Sequence, residues 1–282
     1  GRCRCGRPVA DRHSPPVRAA LDVGRLRDLV VRPCGLWREL TVVDATGSTN
    51  ADLRAAATAG ANAGAVLVAE EQLAGRGRLG RTWQAPARAS VAVSVLLRPP
   101  ADADGWGWLP LVAGTAVAAA VRGLTGLTPG VKWPNDVLLA GGKVAGILAE
   151  RVTTPDGPAL VAGVGVNVSQ TGDELPPPPA DGHPSTSLLL AGAPEVDRTD
   201  LTAALLDRLA EGYRGWLVDR TELRRRCLEW SVTVGTRVRA ELPGGVVHQG
   251  LATGLDGDGR LVVATPEGPV VVGAGDIVHL RR

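Results

Sequence analysis

The last fifty residues of the chain carry only short strand patterns, and this stretch most constrains the fold. Four β-branched runs between residues 232 and 280 are separated by turn signals such as Pro243-Gly244-Gly245 and Gly257-Asp258-Gly259. Short strands at this spacing are typical of a small barrel or sandwich. We therefore predict an all-β unit at residues 232–282, with a domain boundary near residue 231.

The preceding part of the chain alternates between strand and helix patterns. Strand patterns lie at residues 39–45, 65–70, 90–99 and 160–169, and a hairpin is predicted to turn at Gly141–Gly142. Helix patterns lie at residues 20–30, 50–60, 109–124 and 199–230, with Ser48 or Thr49 as the N-cap of the second. Residues 19–231 therefore read as an α+β domain, a mixed sheet with flanking helices.

Composition limits the class of protein. The chain of 282 residues has no Phe and no Met, so its core must be built from Ala, Val and Leu with seven Trp. Four cysteines form no C-x-x-C pair for zinc. The richest apolar run, residues 109–121, is too short to span a membrane, and there is no signal-peptide pattern. These features favour a protein of the reducing cytoplasm, with no membrane partner.

Charge is concentrated at the N-terminus. The net charge is +2, but residues 1–18 hold five Arg and one Asp. We expect a solvated, disordered basic tail there, and contact with a polyanion is the alternative.

The stretch AGRGRLGRTW (residues 74–83) fits G-x-G-x-x-G at Gly75, Gly77 and Gly80. A Rossmann phosphate loop needs a helix directly after these glycines, because the helix N-terminus holds the pyrophosphate. Here Pro86 and then a strand follow, so we reject that interpretation.

A different way of holding an anion fits the same stretch. Alternating glycines let backbone N–H groups approach a ligand closely. Arg76, Arg78 and Arg81 supply charge-assisted hydrogen bonds to phosphate or carboxylate. Because three cations repel one another, the loop is expected to order when an anion binds. The alternative is a solvated basic turn.

Three further stretches carry candidate binding residues. In VKWPND, Lys132 lies between apolar neighbours and is a candidate electrophilic catalyst, or else a surface lysine with a buried stem. In GKVAGILAE, Lys143 is expected beside it. In AGVGVNVS, Gly163 and Gly165 alternate in a strand, as where a flat ligand lies on the backbone or where elements pack closely. Asn167 there has the groups to read a purine edge.

The order GSTN, EQLAGRGRLGRTW, VKWPNDVLL, GKVAGILAE and GVGVNV resembles the catalytic domain of biotin protein ligases, over about residues 40–230. Residues 232–282 resemble the small SH3-like β-barrel of that family. The resemblance implies a class II synthetase-like fold and a two-step reaction. Biotin and Mg-ATP give biotinyl-5'-AMP, and biotin is then transferred to a lysine of a biotin carboxyl carrier domain of an acyl-CoA carboxylase.

The resemblance also implies residue roles. Ser48, Thr49, Asn50 and Gln72 would bind the biotin ureido head. The carboxylate and phosphates would be bound by Gly75, Arg76, Gly77, Arg78 and Arg81. Lys132 would be the principal catalytic cation together with Arg78, with Lys143 on the nucleotide side. Trp83 and Asn167 would flank or read adenine. Leu79 departs from the commonest pattern, since some members carry Arg there. No protein ligand for a metal is identified, so Mg²⁺ is expected to come with ATP.

Some members of the family also repress transcription through an N-terminal winged helix. Only about 39 residues precede the first catalytic strand, so we expect a monofunctional ligase without specific DNA binding. Two alternatives remain: a lipoate or octanoate ligase or transferase on the same fold, and a non-catalytic regulator that binds a small anion and contacts DNA through the basic tail.

Overall fold

In the computed structural model, residues 18–100 and 104–280 are described. The helices are α1 (Val23–Val30), α2 (Thr49–Thr58), α3 (Trp108–Thr125), α4 (Arg198–Val218) and α5 (Arg220–Trp230). The first seven strands are β1 (Glu39–Val43), β2 (Ala65–Ala69), β3 (Ser90–Leu97), β4 (Gly130–Lys132), β5 (Asp136–Leu139), β6 (Gly142–Thr154) and β7 (Gly157–Asn167). The last five are β8 (Arg237–Glu241), β9 (Val247–Leu255), β10 (Leu261–Thr265), β11 (Gly268–Val272) and β12 (Asp276–His279). Short 3₁₀ turns lie at Arg78–Gly80 and Gly172–Glu174.

The first seven strands form one mixed sheet in the order β1-β2-β3-β7-β6-β5-β4. Only β1 and β2 are parallel to each other, and all the other pairs are antiparallel. The α+β class predicted from the sequence is confirmed. The parallel pair continues beyond its strands through a bridge between Thr46 and Gln72. This extension places the GSTN stretch beside the residues that follow β2.

Strand β3 is buried on both faces, because helices cover both sides of the sheet. Val91, Val93 and Val95 point into the main core with α3 and α4. Leu96 packs on the other face with α2, and Ser94 points the same way, towards the start of that helix. The alternation of side chains predicted for this strand is confirmed, and elements of the fold cover both of its faces.

The core is built from small aliphatic residues around three fully buried indoles: Trp37, Trp108 and Trp216. Helix α3, at 18 residues, is longer than the apolar run expected there. By length and composition it is able to cross a membrane, yet 61% of it is buried inside the fold. We interpret α3 as a core helix.

The last five strands form an antiparallel sheet in the order β11-β10-β9-β8-β12, as expected for a small SH3-like barrel. The sequence predicted four strands, but the last run is divided in two around Gly273–Gly275. Its core residues belong to the same hydrophobic cluster as the large sheet. The indoles of Trp108 and Trp133 donate to the carbonyls of Gly257 and Gly259 across this contact. A domain boundary near residue 231 stays a prediction.

Two local predictions need correction. Residues 1–17 of the expected tail lie outside the described residues, but Arg18 is not solvated: its guanidinium donates to the Glu174 carboxylate at 2.5 Å and to Ser169 at 3.0 Å. The hairpin between β5 and β6 turns at Ala140–Gly141, where both residues have positive φ, and Gly142 already belongs to β6.

Candidate active site

A cleft of about 660 Å³, open to solvent, lies over β6 and β7 beside the start of α2. Its lining contains most of the predicted site residues: Ser48, Thr49, Asn50, Gln72, Arg76, Gly77, Arg78, Arg81, Trp83 and Lys143. Gly146, Gly163 and Gly165 form part of its strand surface. The structure therefore brings all five sequence motifs together around one cavity, with VKWPND represented by Asn135. Uncharged polar groups lie at one end and cations at the other.

The uncharged end is a hydrogen-bonded cluster at the start of α2. Ser48 is the N-cap of this helix, and its hydroxyl accepts from the Ala51 N–H. The Thr49 backbone N–H and hydroxyl both donate to Gln72 Oε1, at 3.0 and 3.1 Å. Ser94 Oγ lies 2.7 Å from Thr49 Oγ1. These contacts fix the side chains before any ligand binds.

Asn50 is fixed in the same way. Its amide nitrogen donates to the Leu148 carbonyl at 3.0 Å and to Glu150 at 2.9 Å, and its oxygen lies 2.6 Å from Ser94 Oγ. A Cβ on Gly163 would lie 2.1 Å from that oxygen. Glycine is required at residue 163 because the Asn50 side chain occupies the space above it.

The Gly/Arg stretch forms a small hairpin. Trp83 N–H donates to the Gly75 carbonyl at 2.9 Å and Gly77 N–H donates to the Arg81 carbonyl at 2.7 Å. A Cβ on Gly75 would lie 2.4 Å from the Trp83 carbonyl oxygen, so this closure needs glycine. Leu79, at the tip, has φ 56° and is exposed. The stretch is thus closed by its own backbone.

Two arginines of this hairpin contact the small sheet. Arg78 donates to Asn135 Oδ1 at 3.2 Å and to the Gly275 carbonyl at 3.3 Å. Arg81 forms an ion pair with Asp276. Burial lowers the pKa of Arg78, but a guanidinium stays charged at any physiological pH. Arg76, which is exposed, reaches the cleft from the same hairpin.

Trp83 lies across the strand surface that the glycines leave open. A Cβ on Gly165 would lie 2.5 Å from its indole, and one on Gly146 3.1 Å. The ammonium of Lys143 is 5.8 Å from the ring centroid. The indole N–H is buried and has no hydrogen-bond partner among the described residues. The flat group expected on these glycines is therefore a side chain of the protein itself in this structure.

Lys132 ends β4 and is buried, with 9% of its surface exposed. Burial lowers the pKa of Lys132; Asp136 and Asp276 oppose the shift, and Lys143 and Arg81 add to it. Lys132 is not part of the cleft lining, yet it interacts electrostatically with two lining cations. We place it behind the cation-rich end.

Lys143 lies on β6 and forms an ion pair with Asp136 at 2.7 Å. Lys132 is opposite Asp136 in the β4–β5 register, and the same carboxylate attracts its ammonium. The sequence holds only these two lysines, and its other non-histidine cations are all arginine. Both lysines belong to the same cluster.

Asn167 is not where an adenine reader is expected. It is 4% exposed and is absent from the cleft lining. Its amide nitrogen donates to the Thr186 carbonyl at 2.9 Å, and its oxygen accepts from Gln170 at 2.8 Å. In this structure both ends of the amide hold the loop after β7, and the role in reading adenine stays a prediction.

Sequence reasoning missed three residues of the site. Ser94 is detectable, because the period of two in β3 places it on the face of α2. Asn135 is quoted within VKWPND, but nothing in its sequence context indicates the contact with Arg78. Asp276 comes from a strand nearly two hundred residues away from Arg81, and no local signal predicts that approach.

Comparisons with known proteins agree with this geometry. The Biotin/lipoate A/B protein ligase family matches residues 43–167, and the Biotin protein ligase C terminal domain matches residues 233–280. The biotin--[acetyl-CoA-carboxylase] ligase of Mycobacterium tuberculosis is 45% identical, covering 96% of this chain and 98% of the relative. The bifunctional ligase/repressor BirA of Bacillus subtilis is 31% identical, covering 86% of this chain and 74% of the relative.

Solved structures give the same result. The biotin protein ligase from Aquifex aeolicus in complex with biotin and ATP superimposes with a TM-score of 0.72 at 27% identity, covering 87% of this chain and all of that chain. The enzyme from Leishmania major in complex with biotinyl-5-AMP gives 0.55 at 25% identity, covering 87% and 99%.

Fold, cleft and sequence profile together define a protein ligase of the biotin/lipoate class. Within that class, the chain belongs to the biotin protein ligase family.

Proposed function

We propose that the chain activates biotin with ATP and transfers it to a lysine of a carrier protein. The biotin carboxylate attacks the α-phosphorus of ATP, and pyrophosphate leaves. The lysine amine of the acceptor then attacks the acyl carbon of biotinyl-5'-AMP, AMP leaves with the bonding electrons, and the amine loses a proton. The observation that carries this proposal is one cleft with a fixed polar end and a cation-rich end.

The polar end suits the ureido head of biotin. A ureido group has one carbonyl acceptor and two N–H donors, so it needs both kinds of partner. Ser48 and Thr49 supply hydroxyl groups there, and Gln72 supplies an amide nitrogen. The amide hydrogens of Asn50 are both engaged, so Asn50 offers only the second lone pair of its oxygen. Because Gln72 Oε1 already accepts from Thr49, the Gln72 amide nitrogen is the group directed at a ligand. Prior fixation of these groups lowers the ordering cost of binding.

The cationic end suits the reacting groups. A carboxylate and a triphosphate repel each other, and their approach requires fixed positive charge. Arg76, Arg78 and Arg81 supply it from the hairpin, while Lys132 supplies it from β4. Lys132 is not part of the cleft lining in this structure. We infer that its side chain extends into the cleft when the substrates bind, contacts the carboxyl and α-phosphate oxygens, and stabilises the charge that develops in the transition state. Arg78 would close over the intermediate.

Mg²⁺ is expected with the nucleotide rather than on a protein site. Among residues 18–100 and 104–280, no group of three His, Cys, Asp or Glu side chains is placed to hold a metal. Asp136, at the cationic end, is already paired with Lys143. The phosphate oxygens of ATP are the natural ligands of the ion, which would withdraw charge from the leaving pyrophosphate.

The acceptor is proposed to be the biotin carboxyl carrier domain of an acyl-CoA carboxylase, and the enzyme is proposed to work in the cytoplasm. The Mycobacterium tuberculosis relative is named for acetyl-CoA carboxylase as its substrate. The expectation of no specific DNA binding stays a prediction. A gel shift across salt tests it, since binding through charge weakens steeply as salt rises.

Pyrophosphate exchange into ATP tests the activity directly. The assay is run with biotin, with lipoate and with neither acid, in the presence of Mg²⁺. Exchange that depends on biotin alone is the expected result. Exchange that depends on lipoate would keep the fold and reaction type but overturn the substrate, and no exchange from folded protein would favour the non-catalytic regulator.

Lys132→Ala tests the assigned catalytic cation. We expect loss of biotin-dependent exchange with a native circular dichroism spectrum, since the ammonium has no substitute on β4. Near-normal turnover of this variant would remove Lys132 from the mechanism.

A further inference from the structure

Strand β4, which carries Lys132, is an edge strand of the large sheet. Its outer side is bonded to the segment just before the small sheet: the Val232 N–H donates to the Val131 carbonyl at 3.0 Å, and Val131 bridges Ser231. A Cβ on Gly130 would lie 2.1 Å from Val232. The segment Ser231–Thr233 therefore lies directly against the three residues of β4.

The contact at the end of this segment is made by a side chain. Thr233 is fully buried, and its hydroxyl oxygen accepts from the Trp133 N–H at 3.0 Å. Trp133 is the residue after Lys132. The Thr233 hydroxyl therefore holds the backbone N–H that follows Lys132, and the indole bond of Trp133 to the Gly259 carbonyl holds the same residue from its side chain.

A histidine of the small sheet orients that hydroxyl. His279 Nε2 lies 3.1 Å from Thr233 Oγ1. Burial and the nearby Lys132 charge lower the pKa of His279 to about 4, so its ring is neutral at pH 7. The hydroxyl oxygen accepts from the Trp133 N–H, and the neutral imidazole bonds to the same group, as acceptor or donor according to its tautomer. The Thr233 oxygen is thereby held with a lone pair towards Trp133.

His279 is itself supported by the loop after β7. Its ring packs edge-on against His183, with centroids 5.5 Å apart. His183 Nδ1 lies 3.1 Å from the Gly141 carbonyl, in the turn between β5 and β6. His279 of β12 thus contacts the Thr233 hydroxyl on one side and, through His183, the turn between β5 and β6 on the other.

We propose that Thr233 is a positioning residue for Lys132, with His279 fixing the direction of its hydroxyl. The proposal rests on the proposed function, in which Lys132 contacts the reacting oxygens. Without the hydroxyl, the Trp133 N–H loses its partner and the end of β4 shifts. A displacement of about 1 Å at a catalytic group costs on the order of 100-fold in rate.

The test compares matched variants in biotin-dependent pyrophosphate exchange. Thr233→Val removes the hydroxyl and keeps the volume, while Thr233→Ser restores it. Thr202→Val is the control, because Thr202 is also fully buried and its hydroxyl donates to a backbone carbonyl in α4, away from the cleft. The folded fraction of each variant is checked by circular dichroism at the assay temperature.

For Thr233→Val we expect kcat to fall about 10-fold or more, with the KM values for biotin and ATP within about two-fold. Thr233→Ser should recover most of the rate, and Thr202→Val should retain it. An equal loss in Thr202→Val, a change in KM alone, or no rescue by serine would overturn the positioning role. If Lys132→Ala abolishes exchange and Thr233→Val does not lower kcat, only this proposal fails. If Lys132→Ala leaves exchange intact, Lys132 is not the catalytic cation, and the positioning role of Thr233 fails with it.

Discussion

Arg81 of the Gly/Arg hairpin is ion-paired with Asp276 of β12, so a cation of the proposed phosphate site is partly neutralised by the small sheet. The side chains are 57% and 32% exposed. A pair this exposed contributes about 0–1 kcal/mol to stability. We therefore expect an incoming phosphate to displace the carboxylate from Arg81 at little cost.

Asp276→Asn should strengthen binding of pyrophosphate about two- to five-fold, because it removes a negative charge that competes for Arg81. Isothermal titration of the folded enzyme measures this. Asp258→Asn is the matched control, since Asp258 forms an exposed ion pair with Arg260 on the same sheet. Equal or weaker binding in Asp276→Asn would contradict the competition.

Arg78→Gly should loosen the hold on biotinyl-5'-AMP, because Arg78 links the hairpin to Asn135 and Gly275. Released acyl-adenylate reacts with any accessible amine. We expect biotin labelling of bystander serum albumin to rise about 10-fold or more over wild type, as read on a streptavidin blot. Arg88→Gly, a change at an exposed arginine with positive φ, should cause no rise. An unchanged blot for Arg78→Gly would argue against a closing role.

Gly165→Ala should impair substrate binding, because the added Cβ lies 2.5 Å from the Trp83 indole and must displace it. We expect the KM for ATP or biotin to rise about 10-fold, which corresponds to a loss of about 1.4 kcal/mol in binding free energy. Gly172→Ala is the control, as its Cβ would meet nothing within 4 Å. Unchanged steady-state constants for Gly165→Ala would show that the indole does not shape the site.

Arg198→Met should destabilise the whole fold. The Arg198 guanidinium is 7% exposed and pairs with buried Glu70 at 2.7 Å. It also donates to the carbonyls of Ser90 and Ala19. Removing one partner leaves a buried charge unpaired, and we expect a loss of about 3–5 kcal/mol in the free energy of unfolding.

Urea unfolding followed by circular dichroism measures that loss. Arg25→Met provides the comparison, because Arg25 pairs with Asp197 and Asp200 at the surface. That variant should unfold at nearly the same urea concentration as wild type, because exposed ion pairs contribute little to stability. Similar losses in the two variants would mean that burial does not decide the strength of the Arg198 pair.

Activity should decline as the pH rises, and the midpoint of that decline should lie below pH 10.5, the ordinary pKa of lysine. Burial lowers the pKa of Lys132, and the proposed mechanism needs its charged form. In Lys132→Arg the cation stays charged, so any residual activity should lack this decline. A wild-type midpoint at or above pH 10.5 would contradict the assignment.

The same shift affects stability with a definite sign. Between the lowered pKa and 10.5, the folded state binds fewer protons at Lys132 than the unfolded state. The Lys132 contribution to the free energy of unfolding therefore rises with pH across that window. Comparing wild type with Lys132→Arg in urea unfolding isolates this contribution.

Much of the fold was predictable because its signals are local. The period of two in β3, the cap at Ser48 and the glycines around the hairpin each depend on neighbours in sequence. The polar end of the site was predictable for the same reason, since the helix start and the strand end carry recognisable motifs. The assignment of these residues to biotin and ATP stays a prediction.

The structural features that the sequence does not predict depend on contacts between distant segments. Nothing near Asn167 indicates that its amide nitrogen donates to the carbonyl of Thr186, in the loop after β7. The division of the last strand pattern into β11 and β12 follows from pairing with two different strands, β10 and β8. Thr233 and His279 lie outside every motif, so their approach to β4 is visible only in three dimensions.

The placement of both lysines within one cluster bears on self-damage. Under the proposed chemistry the enzyme makes an acylating agent that any neutral amine can consume. Lys132 is buried, and Lys143 is held by Asp136. The arginines elsewhere in the sequence stay protonated and do not act as nucleophiles at neutral pH. The side chains of the catalyst therefore offer a leaked intermediate almost nothing to react with, and what escapes is left for other proteins or for water.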